Sequence, residues 1–313
     1  MPLIFATRPS TLARWQTQSI IHALQEVWPG LECEEDVLTT SGDRILGRPL
    51  PEIGGKGLFT QELENALLSG SVHAAVHSLK DLPVENAPGL IVAAIPLRDE
   101  MRDVLVSAQG YSLDTLPTGA RVGTSSLRRA AQLLAHRPDL RVIPLRGNVD
   151  TRLRKALDGL YDAIVLAGAG LIRLGLAEYI THWLPLDVMT PAPGQGALAV
   201  QCRAGDIETQ QRLVVLDDPA TRMAVTAERA FLAGLGGGCS LPVAAFALVK
   251  GEQITLQGVV SSPDGQRLLR MQDRGSNPDV LGTDLARQAI ERGASELLTP
   301  SINNKSALRL SET

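Results

Sequence analysis

The chain has 313 residues, 44% of them hydrophobic and only 3% aromatic, with a formal net charge of -4. Mild acidity with few aromatic rings disfavours a general nucleic-acid surface, and no run approaches the ~20 uncharged apolar residues that span a bilayer. A density of about one domain per ~150 residues suggests two or three domains. The three cysteines, Cys33, Cys202 and Cys239, are too scattered for a disulfide framework or a CxxC metal pair. With no export-type N-terminus, the expectation is a cytoplasmic protein with no membrane or nucleic-acid partner.

In chain order, LIFAT (3–7) and LIVAAI (90–95) read as strands, and Leu12, Trp15, Ile20 and Leu24 give helical spacing after Pro9-Ser10. Residues 41–57, rich in Gly and Pro, read as a long loop and a candidate mobile lid over 45–57. RVGTS (121–125), a helix near 126–136, LRVIPL (140–145), a helix near 149–158 and DAIVLAG (162–168) alternate at intervals that imply a parallel sheet. TPAPGQG (190–196) breaks the alternation, and ALAVQC (197–202) reads as a strand able to return to the first sheet. From about 219 the texture becomes α+β: a helix near 220–233, strands at 241–249, 253–261 and 267–272, and a helix over 279–298. The expected domains are 1–97 with 197–216, then 102–191, then 219–313.

Three familiar motifs fail. Gly54-Gly55-Lys56-Gly57 has Leu50 and Gly57 where a phosphate loop needs a glycine and a hydroxyl, and Gly168-Ala169-Gly170 meets Arg173 where a dinucleotide turn needs glycine. His73 and His77 flank Ala74, without the glutamate of a zinc-protease helix, and read as structural. No metal site is expected.

What remains is a repeated placement of cations at element ends. Arg8 follows the first strand, Lys56 sits in the long loop, Lys80 in HSLKD, Arg98 at a strand end, Arg128 and Arg129 at a helix start, and Arg146 and Arg152 bracket RGNVDTR. Ser10, Ser125 and Ser126 add hydroxyl donors. Only five of the 30 basic residues are lysine, and the planar arginine fork matches carboxylates. Because open α/β sheets bind ligands beyond the carboxyl ends of their strands, converging arginines there would hold a polyanion. Asp81 adjoins Lys80 as an acid among cations, and Cys239 lies in the glycine-rich LGGGCSLP.

Taken together, GGKGLF (54–59), HSLKDLPVE (77–85), VGTSSLRR (122–129), LRGNVDTRL (145–153), YDAIVLAGAGLIRLG (161–175), PAPGQGA (191–197), TAERAFL (226–232) and GGGCSLP (236–242) resemble the porphobilinogen deaminase family, in order along nearly the whole chain. The resemblance implies two doubly wound α/β domains of class II periplasmic-binding-protein type and a smaller α+β C-terminal domain. It implies a transferase that joins four porphobilinogen molecules, with loss of ammonia, into hydroxymethylbilane. The implied cofactor is dipyrromethane, thioether-bound to Cys239 and contacted by Lys80, Asp81, Ser126, Arg128, Arg129 and Arg146. Porphobilinogen and the growing oligopyrrole would meet Arg8, Ser10, Lys56, Arg98, Arg146, Arg152, Arg173 and Gln195, with Asp81 as the catalytic carboxylate and a monomer as the working unit. Glu52 departs from the lysine common at that place among relatives, leaving Lys56 as the loop's only lysine. A non-enzymatic anion-binding module of periplasmic type would fit the first two domains alone, but it predicts an export signal and has no use for GGGCSLP.

Overall fold

The structure, a computed structural model, describes residues 2–44, 57–237 and 241–298. The first run of elements is β1 (Leu3–Thr7), α1 (Thr11–Val27), β2 (Cys33–Val37), α2 (Ser41–Arg44), α3 (Gln61–Ser69), β3 (Ala74–Ser78) and β4 (Leu90–Ala94). The second is β5 (Asp103–Val106), β6 (Arg121–Gly123), α4 (Leu127–His136), β7 (Arg141–Ile143), α5 (Val149–Leu157), β8 (Ala163–Ala167), α6 (Gly168–Arg173) and β9 (His182–Trp183). The third is β10 (Leu198–Arg203), α7 (Ile207–Leu213), α8 (Pro219–Gly234), β11 (Val243–Lys250), β12 (Gln253–Ser261), β13 (Leu268–Gly275), α9 (Pro278–Glu291) and α10 (Ala294–Leu298).

The first two sheets share one plan, with strand orders β2-β1-β3-β10-β4 and β7-β6-β8-β5-β9. In each, three parallel strands are followed by one antiparallel strand, and that strand is the one that follows a crossover: β5 when the chain leaves the first sheet, β10 when it returns. This is the doubly wound class II arrangement. Strands β3 and β8 are covered on both faces and read as near-continuous apolar runs, which is why their periodicity is not alternating. The two crossovers, residues 95–102 and 184–197, press together at Gly196. Its φ is +88°, and a Cβ there would lie 2.7 Å from the Asp99 carbonyl oxygen, so only glycine fits.

Helix starts are set by local side chains. Ser10 accepts from Ala13 N (3.3 Å) and Ser126 from Arg129 N (3.4 Å), each capping the helix that follows a strand end. Asp218 accepts from Thr221 N (2.7 Å) with Pro219 in the first turn of α8. In the third unit, α8 and α9 cover the antiparallel β11-β12-β13 sheet over a core that includes Phe231, Leu256 and Leu285. The helix expected over 279–298 is two helices, because Gly293 (φ +91°) breaks it. Among the described residues no helix is long and apolar enough to cross a membrane. His73 accepts a hydrogen bond from Ile4 N (3.0 Å), and His77 is buried against Gln201 (3.1 Å), so both are structural as expected.

Candidate active site

A cleft of about 610 Å³ opens between the first two sheets, at the strand ends where α1, α5 and α6 begin. Arg8, Ser10, Lys80 and Asp81 face it from the first sheet's side, and Arg129, Arg146, Arg152 and Arg173 from the second's. Among the described residues, two carboxylates, Asp43 and Asp81, stand against these six cations. Asp43 is already the ion-pair partner of Arg8, whose guanidinium also lies over the Phe59 ring at 4.4 Å. Asp81 is exposed, on the 3₁₀ turn Leu79–Asp81 that follows β3. The described lining is thus strongly cationic, with Asp81 as its exposed acid.

The cations cost free energy to hold there. Desolvation pushes Lys80 down to about 8, with Arg128 and Arg129 lowering it further and Asp81 and Asp103 opposing. Burial, reinforced by Arg129 and Arg146, brings Arg152 down to about 10, although Asp81 opposes this. Burial likewise lowers Arg146 and Arg173. A bound carboxylate would relieve each of these penalties.

Arg173 donates to the Asp99 carboxylate (2.8 Å) and to the Gly196 carbonyl (2.7 Å), so it ties α6 to both crossovers. Arg152 donates to the Gly147 carbonyl (2.6 Å) one turn back. Arg129 enters the cleft from a buried position, donating to Asp103 (Nη2, 2.7 Å) and to the Val165 carbonyl (3.0 Å).

Several expected site residues lie elsewhere. Arg98 is turned away from the cleft: it forms a buried pair with Glu228 of α8 at 2.6 Å and donates to the Gln195 carbonyl. Arg128 points inward, to Asp103 (2.7 Å) and the Thr190 carbonyl (2.7 Å), and Ser126 is spent on the helix cap. Gln195 is fully buried beneath the cleft, with Lys80 donating to its Oε1 at 3.3 Å. These four support the cleft walls rather than line them. Lys56, Glu52 and residues 45–56 of the expected lid over 45–57 lie outside the described residues, as does Cys239.

Sequence reasoning missed Asp103 and the two acting residues of α8. Asp103 is fully buried and accepts from Arg128, Arg129 and Gln195; burial alone would raise its pKa, but the two guanidiniums hold it well below the usual carboxylate range. Glu228, also fully buried, accepts from Arg98, Gly194 N (2.7 Å) and Ala247 N (2.8 Å), joining both crossovers to the third sheet. Arg229 donates to the carbonyls of Leu79, Leu82, Pro83 and Val84 at 2.6–3.2 Å, anchoring the turn that carries Asp81. The same helix ends at Gly234, five residues before Cys239. The one available signal was an acid or arginine inside an otherwise apolar helix face, as in TAERAFL.

Comparison with known proteins matches residues 3–211 to the family described as porphobilinogen deaminase, dipyromethane cofactor binding domain, and residues 222–291 to the porphobilinogen deaminase C-terminal domain. A porphobilinogen deaminase of Roseiflexus castenholzii is 53% identical over 297 residues, covering 95% of this chain and 98% of its own. That of Moorella thermoacetica is 50% identical over 295 residues, covering 93% and 94%. Among solved structures, the methionine binding protein MetQ covers 68% of this chain and 89% of its own at 13% identity, with a TM-score of 0.42. With both family regions matched in order and half the residues identical across nearly the full length, the chain belongs to the porphobilinogen deaminase family.

Proposed function

We propose that the cleft is where porphobilinogen units are joined, with loss of ammonia, into hydroxymethylbilane on a dipyrromethane primer carried by Cys239, with Asp81 as the catalytic carboxylate. The family assignment supplies the reaction class and the cofactor. The observation that carries the residue assignment is the exposed Asp81 among six cleft cations.

Each pyrrole brings an acetate and a propionate, and a two-ring primer doubles that number. Arg8, Lys80, Arg129, Arg146, Arg152 and Arg173 suit these carboxylates in charge and fork geometry. A volume near 610 Å³ falls in the range of small-molecule sites, so the described part of the site fits the cofactor. When bound, the primer supplies the free pyrrole carbon that attacks the incoming unit.

Loss of ammonia from the substrate's aminomethyl arm leaves a cation, which the arginines' own field disfavours. Asp81 offsets that field by accepting pyrrole N–H donors on its two oxygens. Arg128, Ser126, Gln195 and Arg98 then act indirectly, by holding cleft residues or the crossovers in place. The three sheets support a division into 1–97 with 197–216, 102–191 and 219–313, with α8 linking the Asp81 turn to the segment that bears Cys239.

Intact mass tests the attachment. The purified protein should carry the excess mass of one dipyrromethane, and Cys239→Ser should fold without it and lack activity. A Cys239→Ser protein that retains the covalent mass would move the attachment to Cys33 or Cys202.

A further inference from the structure

We infer that Asp103, acting through Gln195, is a positioning residue that holds Lys80 of the first sheet in register with Arg129 of the second. The inference rests on the reading above that these cations receive the pyrrole carboxylates.

A chain of hydrogen bonds runs across the junction of the two sheets. Asp103 Oδ1 accepts from Arg129 Nε (3.0 Å) and Nη2 (2.7 Å) and from Gln195 Nε2 (3.0 Å), while Oδ2 accepts from Arg128 Nη1 (2.7 Å). Gln195 Oε1 in turn accepts from Lys80 Nζ (3.3 Å). Asp103 opens β5, just after the first crossover, and Gln195 lies in the second, beside the tight Gly196 contact. Gln195 also donates to the Met101 carbonyl (2.8 Å) in the first crossover. Asp103 and Gln195 are fully buried, and neither lines the cleft.

A counterion for Arg128 and Arg129 alone would need no link to the other sheet. The amide is the part that a purely structural role leaves unexplained: its nitrogen serves the anion of the second sheet and its oxygen the cation of the first. A buried amide satisfied on both ends has a single orientation, and it fixes the spacing of the groups it joins. Two cations from different sheets can then meet the carboxylates of one ring in a preset geometry, without reorganisation on binding.

The test uses cofactor-loaded enzyme and single-turnover addition of porphobilinogen, comparing Lys80→Met, Gln195→Leu and the double variant. Gln195→Leu leaves the Asp103 pairs with Arg128 and Arg129 intact, and it should slow addition about 10-fold. In the Lys80→Met background the same change should cost no more than about twofold, because its effect runs through Lys80. A second readout separates positioning from general damage. Among the described residues, Asp81, Asp103, Arg128 and Arg129 act on Lys80, and Asp103→Asn removes one of these anions. The alkaline limb of kcat/KM should therefore move to lower pH in Asp103→Asn, where damage to folding would lower the rate at every pH. Impaired Lys80→Met with normal Gln195→Leu, or fully multiplicative effects in the double variant, would overturn the inference alone. Normal addition by Lys80→Met would overturn the cleft assignment, and the inference with it.

Discussion

Arg98 and Glu228 meet at 2.6 Å with side chains only 7% and 0% exposed, and this pair fastens the C-terminal unit to the crossovers between the first two sheets. Its partners lie 130 residues apart in sequence. Glu228 also accepts from two backbone amides, so every route around the carboxylate is used. Removing the charge while keeping the shape strands a buried guanidinium. Glu228→Gln should lose about 3–5 kcal/mol of stability, the range for breaking a buried pair, read as a lower urea midpoint. A change under ~0.5 kcal/mol would show that the pair is dispensable to the junction.

Lys80 should give the free enzyme an alkaline limb, since desolvation pushes its ammonium down to about 8. Only the protonated form pairs with a carboxylate, so kcat/KM should fall as pH rises through about 8. Lys80→Arg should remove that limb. Linkage gives the opposite sign for the fold: the depressed lysine is a stability cost at neutral pH, and the cost is relieved as pH rises from about 8 toward its ordinary 10.5. A profile unchanged in Lys80→Arg would assign the limb to another group.

His77 sets an acid-side loss of stability. Burial holds its imidazole neutral down to about 4, against an ordinary 6.5. The unfolded chain therefore binds the extra proton between those values, and stability falls as pH drops from about 6.5 to 4, by at most ~3 kcal/mol. His77→Gln should flatten the fall in this window. An equally steep loss in the variant would place the titration elsewhere.

Arg173 holds both crossovers as well as the cleft, through Asp99 and Gly196. Arg173→Leu should load the primer and then stall, so that mass spectra after incubation with substrate show partly extended chains. A uniform slowing with no shift in that distribution would argue against a role tied to chain length.

The fold class was legible because local chemistry specified it. The apolar runs at 3–7 and 163–167 are buried parallel strands, and Ser10 and Ser126 cap the helices that follow strand ends; β3 at 74–78 was not legible as a strand, because AAVHS is short and ends in polar residues. The convergence of Arg8, Lys80, Arg129, Arg146, Arg152 and Arg173 was legible too, since strand ends of an open sheet share one side. The inward turn of Arg98 and Arg128 was not. A strand-end or helix-start arginine looks the same whether it faces solvent, a ligand or a buried acid, and only the distant partners Glu228 and Asp103 decide. Asp103 itself reads as one more acid in RDEMRD until the fold brings three donors to it from 25 to 92 residues away.

Asp81 is proposed to stabilise the cation formed when ammonia leaves, against the field of the six described cleft cations. The most direct test of this claim is single-turnover addition of porphobilinogen to cofactor-loaded Asp81→Asn, which keeps the side chain's shape and removes its charge. Primer loading and substrate binding should persist while addition slows by at least ~10²-fold, the scale of losing a preorganised electrostatic group. Addition within about twofold of the unaltered enzyme would contradict the claim and leave Asp81 a turn residue held in place by Arg229.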